Sequence, residues 1–312
     1  MGPASLVVPS AMMVAVFIDT TLGEPPTAVH PVVWMGKFLN RWGRGMPERA
    51  AARAFFGGAL GWLVGATVFA GVAWAVSRGV RWMAEGLSPW PRLGVTALAG
   101  GVLLKPLLAW RLLRSEVLAV ESALGESLEA GRARVAHLAS RDTGALTAAQ
   151  VRETAIESLA ENLNDSVIAP LFWFAVAGLG GATLYRFANT ADAMWGYRGR
   201  WEWAGKWAAR ADDVLSWIPA RLTAAALLPP HRWVELCREA RRTASPNGGW
   251  PMGAMALRLG VRLGKPGVYL LNPHGRSAAV TDSVRATRVA TAAVALLLVP
   301  LMALAWLAGA FR

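Results

Sequence analysis

The chain is poor in what soluble proteins rely on. Only 17% of its 312 residues are charged, against roughly 25% in an average soluble domain, so an ordinary cytosolic globule is excluded. Cysteine occurs once, at Cys237. An internal disulfide is therefore impossible, a thiolate metal site has no partners, and a structural thiol is expected. Acidic residues number 20 against 32 basic ones, giving a net charge of +12. No basic stripe interleaves with stacking aromatics in a soluble module, so nucleic acid is not the expected partner. No 20–50-residue period and no low-complexity segment occurs. Residues 6 to 18 are apolar but lack a basic n-region and a clear cleavage site, which argues against a signal peptide. No G-x-x-x-x-G-K-[ST] loop is present. The nearest glycine-rich piece, AGLGGAT (177 to 183), lacks the lysine and reads as tight helix packing.

What is abundant points to a membrane. Hydrophobic residues make up 54%, and there are 16 Trp and 32 Gly; Trp favours bilayer interfaces and Gly is commoner in spanning helices. The fold expected is all-α, a multipass helical membrane protein with broken or re-entrant apolar segments. Its polar loops at 37–53 and 231–288 are placed on the cytoplasmic side by their arginines. A single domain over 1–312 is expected, with a polar insert at about 114–166 and an Arg-rich, turn-rich loop at about 231–288.

Residues 57 to 77 form the clearest span. The run from 6 to 18 is short for one and extends through Leu22 only by burying Asp19. The prolines and glycines of 19 to 44 break any helix there. Residues 93 to 113 form another apolar stretch, interrupted at Lys105-Pro106. SEVLAVESALGESLEAGRARVAHLA (115 to 139) reads as one amphipathic helix. Thr147 is the N-cap of the next helix. An apolar run covers 167 to 184, Pro219 and Arg221 break the run that follows 213, and a last helix fills roughly 289 to 310. Trp195, Trp201, Trp203 and Trp207 read as an interfacial belt. An even alternation of spans would put 186–213 and 114–166 on opposite sides.

The stretch 151 to 198 organises the rest. Glu153, Glu157 and Glu161 recur at i, i+4 and i+8, so they stack on one helix face. Like charges so arranged destabilise a helix by about 0.2–0.5 kcal/mol per pair. Either the row is a solvated face pairing with Arg152 or other basic residues, or it holds something positive beside the membrane. The helix continues unbroken into the apolar run, which ends at a second polar cluster, Tyr185 to Asp192. There Arg186, Asn189 and Asp192 share a face. Ser245-Pro246-Asn247-Gly248-Gly249 is at minimum a turn, and its amides can form an anion nest.

Five stretches together resemble the adenosylcobinamide-phosphate synthase (CobD/CbiB) family of cobalamin biosynthesis. They are DTTLGEPPTAVHPVVWMGK (19 to 37), ESLAENLNDSVIAPLFW (157 to 173), YRFANTADAMWGYR (185 to 198), ADDVLSWIPARLTA (211 to 224) and ASPNGGWPMGAMALRLGVRLG (244 to 264). Glu24, Ser166 and Ser216 stand where such sequences usually have Asp, Gly and Asn. The resemblance implies a multipass inner-membrane ligase with its active site at the cytoplasmic face. It would form, with ATP, an amide between adenosylcobyric acid and 1-aminopropan-2-ol or its O-phosphate. Homo-oligomerisation or contact with other membrane enzymes of the pathway is a further expectation.

That chemistry sorts the polar residues. An inert carboxylate must be activated, and phosphoryl transfer needs Mg²⁺ and cationic groups on the phosphates. Glu157, Glu161, Asp165, Asp212 and Asp213 are the candidate catalytic carboxylates, with the base left open among Asp212, Asp213 and Glu161. Glu161, Asn162, Asp165 and Asp192 are the candidate Mg²⁺ ligands. His30, Arg186, Asn189, Asp192, Arg198, Arg221, Ser245 and Asn247 are the candidate substrate- and phosphate-binding residues. The rival reading is an ion-coupled transporter using intramembrane carboxylates, which would show inverted repeats.

Overall fold

The computed structural model describes residues 2–139 and 142–310. It is 77% helical, as the composition requires. The helices are α1 (Val7–Leu22), α2 (Pro31–Gly43), α3 (Ala51–Met83), α4 (Pro89–Leu104), α5 (Trp110–Glu126), α6 (Leu128–Val135), α7 (Ala148–Leu163), α8 (Ala169–Trp195), α9 (Lys206–Leu227), α10 (Trp233–Ala240), α11 (Gly249–Leu259) and α12 (Val280–Ala310), with a hairpin of β1 (Leu263–Lys265) and β2 (Tyr269–Leu271). Five helical stretches among the described residues are long and apolar enough to cross a membrane: Pro3–Leu22, Ala51–Met83, Pro89–Glu126, Ala148–Trp195 and Val280–Gly309.

The chain divides into two compact units. The first comprises Met1–Ala109, Ala169–Leu215 and Val299–Arg312; the second comprises Trp110–Ile168 and Ser216–Leu298. The polar insert and the Arg-rich loop recognised in the sequence thus fall in one and the same unit.

In the first unit, α3 packs on α8, and glycines permit the close approach. Gly180 lies against Ala70 and Trp74, and Gly65 lies against Phe38 and Phe187. The AGLGGAT stretch therefore does serve packing. It also breaks the helix: Ala177 and Gly178 leave helical geometry, with Gly178 at φ +64°, which only glycine adopts without strain. The 6–18 run lengthens into α1 by the route the sequence left open, since Asp19 is 1% exposed. Lys105, itself 4% exposed, places Nζ 3.3 Å from Asp19 and 2.9 Å from Glu24. The interruption at Lys105-Pro106 is thus a one-turn 3-10 segment that delivers a counter-ion. Helix α2 corrects the expectation of broken chain over 19 to 44. Pro31 occupies the first turn, where its missing N–H costs nothing, and the His30 ring accepts from Val32 N. Trp195 is a second correction, because it is buried and stacks on Trp201 at 5.9 Å and 11°; Trp203 and Trp207 remain exposed.

In the second unit, the stretch 115–139 is two helices, not one. Ser127 stops α5 and its hydroxyl caps α6 by accepting from Ala130 N. Thr147 caps α7, as expected, and the structure adds a capping box with Gln150. Thr147→Ala should cost about 1 kcal/mol, read as a lowered thermal midpoint of the detergent-solubilised protein. Helix α7 is buried on most of its circumference, with Val151, Ile156, Leu159 and Leu163 at 0% exposure; each such side chain contributes roughly 1.5–3 kcal/mol. Arg152 does not serve the acidic row. It pairs with Glu121 of α5 at 2.8 Å, and Glu121 also accepts from Ser283 of α12. The stretch 231–288 is more ordered than its turn-rich sequence suggests. It contains α10, α11, the hairpin and the start of α12, which begins nine residues before 289.

Two further helix features were not foreseen. Asn164–Ile168 is a π-helical turn directly after α7, so the passage into the apolar run is not regular. Helix α9 runs through Pro219, where a break was expected. Proline at 219 deprives the Leu215 carbonyl of its helical donor, and the Trp173 indole supplies one, Nε1 donating at 2.9 Å.

Candidate functional site

The acidic row is not a solvated face. Glu153 is 4% and Glu157 8% exposed, and each glutamate of the row meets the stretch 245–278. Glu153 Oε1 accepts from Arg262 Nε and from Ala278 N, both at 3.4 Å. Glu157 Oε1 accepts from the Tyr269 hydroxyl at 2.7 Å. A Cβ on Gly248 would lie 3.2 Å from Glu161 Oε1, so the glycine lets the loop backbone come up against that carboxylate. The positive group held at the first position is Arg262.

Glu157 and Glu161 line one polar cavity of about 290 Å³, together with Ser158, Ser245, Lys265 and Tyr269. Its loop wall is built by Arg221. This guanidinium lies over Trp217 at 4.2 Å and Trp250 at 4.7 Å. It donates to Asn247 Oδ1 at 2.9 Å and to the Pro246 carbonyl at 3.3 Å. Burial holds Arg221 below the usual guanidinium value. The residue braces the loop rather than presenting its fork to a ligand, and Asn247 is its partner. Ser245 Oγ accepts from the amides of Asn247 and Gly248 at 3.2 and 3.0 Å. A lysine lacks both the fork and the flat face, so Arg221→Lys should speed hydrogen exchange at amides 247 and 248 by about tenfold.

Asp165 sits on the π-turn. Asn164 Nδ2 donates to its Oδ1 at 2.8 Å, while Asn164 Oδ1 faces the Thr223 hydroxyl at 3.2 Å. A π-turn inserts one residue, and such turns recur at functional sites. Asn162 turns its amide nitrogen back to Ser158, donating at 3.0 Å to the carbonyl.

The remaining candidates belong to the first unit. Arg186 Nη1 donates to Asn189 Oδ1 at 3.3 Å, so the shared face is real, and Asp192 and Arg198 follow on the same segment. Burial raises Asp213 above the ordinary carboxylate value, an effect the Arg210 guanidinium opposes. Both nitrogens of His30 are engaged: Nδ1 accepts from Val32 N at 3.3 Å, and Nε2 faces Glu24 Oε2 at 3.3 Å. An accepting Nδ1 puts the proton on Nε2, which makes His30 a brace for Glu24.

Among the described residues, no group of three or more His, Cys, Asp and Glu side chains comes together as a metal cage. Glu161, Asn162 and Asp165 lie in the second unit, Asp192 in the first. Hard oxygen donors of this kind fit Mg²⁺, which commonly takes one or two carboxylates and completes its shell with water and phosphate.

Sequence reasoning missed Tyr269 and Lys265. The signal was present in Lys265-Pro266-Gly267-Val268, between two β-prone runs. Val268 N donates to the Lys265 carbonyl at 2.9 Å, and Gly267 has the φ of +74° that the third position of a Pro-Gly turn requires.

A family model described as CobD/Cbib protein matches residues 12–299. A probable cobalamin biosynthesis protein CobD of Pyrococcus abyssi is 42% identical over 265 residues, covering 82% of each chain. Cobalamin biosynthesis protein CobD of Rhodobacter capsulatus is 40% identical over 270 residues, covering 83% of this chain and 82% of that one. A probable cobalamin biosynthesis protein CobD of Methanothermobacter thermautotrophicus is 38% identical over 272 residues, covering 84% and 86%. No solved structure matches the chain.

Proposed function

Because the chain belongs to the CobD/CbiB family, we propose that it acts in cobalamin biosynthesis as a membrane ligase. It joins the carboxyl group of adenosylcobyric acid to the amine of 1-aminopropan-2-ol or its O-phosphate. A carboxylate is a poor acyl donor. Its oxygen therefore attacks the γ-phosphorus of ATP and ADP leaves. The amine then attacks the acyl carbon, a C–N bond forms, and inorganic phosphate departs with the former carboxylate oxygen. The observation that carries this reading is the pairing of Glu157 and Glu161 in one polar cavity with Ser245 and Lys265.

Glu157 is assigned the proton of the incoming ammonium, since only the free amine attacks. Tyr269, donating to its Oε1, holds this carboxylate in place at the cavity wall. Glu161 and Asp165 are the carboxylates that would hold Mg²⁺, which neutralises phosphate charge when bound with the nucleotide. The loop 245–248 holds phosphate oxygens through Ser245, kept in place by Arg221. The inner membrane and a cytoplasmic-facing site complete the proposal. Among the described residues no feature favours the transporter reading.

The test is the purified chain in detergent with the corrinoid acid, the amine, Mg²⁺ and ATP. Amide and ADP formed in equal amounts are expected. Corrinoid acid recovered unchanged, with ATP intact, would remove the ligase reading.

A further inference from the structure

A large cavity in the first unit sits where two spanning stretches are interrupted side by side. Helix α2 runs antiparallel along α3: Trp42 Nε1 donates to the Gly57 carbonyl at 3.0 Å, and the Phe38 ring meets Phe69 at 6.0 Å. The chain that enters α2, residues 23–30, is thereby brought level with the part of α3 beyond Phe69, inside the uncharged run 57–77. It holds a single 3-10 turn, Thr27–Val29, between α1 and α2. The stretch Pro89–Glu126 is likewise broken, by the 3-10 turn Lys105–Leu107. Irregular backbone at membrane depth is tolerated only where protein buries it or where it lines a cavity. Here both breaks line one cavity of about 800 Å³.

The walls are hydrocarbon. Helix α3 contributes Val68, Phe69, Val72, Ala73 and Val76, and α4 contributes Val102 and Leu103. Glu24 and Lys105 are the charged residues that line it, and they neutralise each other at 2.9 Å. A polar ligand would give up its hydration there for walls with few hydrogen-bonding groups, whereas an alkyl chain gives up nothing. The surroundings supply such a chain. Leu22, Val68, Val72 and Val102 all line the cavity and are at least half exposed, and all four lie on stretches that cross the bilayer. The medium beside them is lipid. We propose that this cavity is a lipid site, which takes an acyl chain of a bilayer phospholipid against α3 and the two chain breaks. The chain keeps water from the Lys105–Glu24 pair, and the lower local dielectric strengthens that pair. The assignment does not depend on the ligase reading.

The full chain is reconstituted in nanodiscs with phosphatidylcholine that carries a photoactivatable diazirine in one acyl chain. After irradiation, adducts are located by peptide mass spectrometry. They are expected on the half-buried Phe69, Leu103 and Pro106 that line the cavity, besides those on the exposed Leu296 and Val299 of α12. Ala73→Trp fills the cavity and should abolish the first group while leaving the second unchanged; Ala73→Leu, a smaller filling, should reduce the first group. Phospholipid added to delipidated wild type should raise its thermal midpoint, because a ligand of the folded state stabilises it by mass action. Ala73→Trp should lose part of that rise. Adducts confined to exposed residues, or cavity adducts that both fillings leave in place, would overturn the proposal. So would an equal rise in midpoint for wild type and Ala73→Trp. Cavity adducts that vanish when the corrinoid acid is added would give the cavity to that substrate and overturn the lipid assignment, while leaving the ligase reading intact.

Discussion

Glu157→Gln should lower kcat by about 10²–10⁴, the range that a positioned general base contributes. The substitution is chosen for what it preserves. Glutamine keeps an oxygen to accept from Tyr269, and its volume is nearly that of glutamate, so α7 and the hairpin retain their contact. What it removes is the ability to take a proton from the incoming ammonium. The check is single-turnover amide formation, with the thermal midpoint measured alongside. Glu153→Gln is the internal control. That carboxylate is tied to Arg262 and Ala278 and does not line the cavity of Glu157, so its loss should lower stability while turnover per folded molecule is retained. A Glu157→Gln rate within about threefold of wild type would take this residue out of the proton-transfer role.

The second large effect concerns stability in the first unit. Lys105→Met should destabilise the protein by about 3–5 kcal/mol, the cost of leaving a buried charge without its counter-ion. Asp19 at 1% exposure has no access to water, and methionine supplies apolar bulk where the ammonium stood between Asp19 and Glu24. The prediction carries its own rescue. Replacing both members of a buried pair by uncharged groups is often neutral, so Asp19→Asn with Lys105→Met should recover most of the loss. Thermal unfolding in detergent measures both. A single variant that melts with the wild type would show that Lys105 carries no such burden.

These two sites differ in how far the sequence revealed them. The spans around α3 and α12 were legible because long uncharged runs leave no alternative. The N-cap at Thr147 was equally plain, being a local pattern with a local cause. Asp19 was legible only as a condition: α1 reaches spanning length if Asp19 is buried. Its partner lies at 105, and nothing local to either residue links them. Pro219 misled because a helix tolerates proline when another group satisfies the stranded carbonyl, and Trp173, 42 residues upstream of Leu215, does so.

The candidate site was half legible for the same reason. Glu157 and Glu161 declared themselves by an unfavourable stacking that a solvated helix gains nothing from. Arg221 was singled out as a phosphate-binding candidate, and its residue type could not tell a phosphate ligand from a brace held between two indole rings. Tyr269 and Lys265 escaped notice since each is unremarkable alone, and only the strand register puts them on one face.

The central claim is that the corrinoid carboxylate is made reactive by phosphorylation before the amine attacks. Corrinoid acid labelled with ¹⁸O in that carboxyl group tests it directly, with the oxygen followed by mass spectrometry through one turnover with ATP. The account predicts one labelled oxygen in the inorganic phosphate released and one in the amide. Label appearing in AMP, or phosphate released without it, would contradict the account.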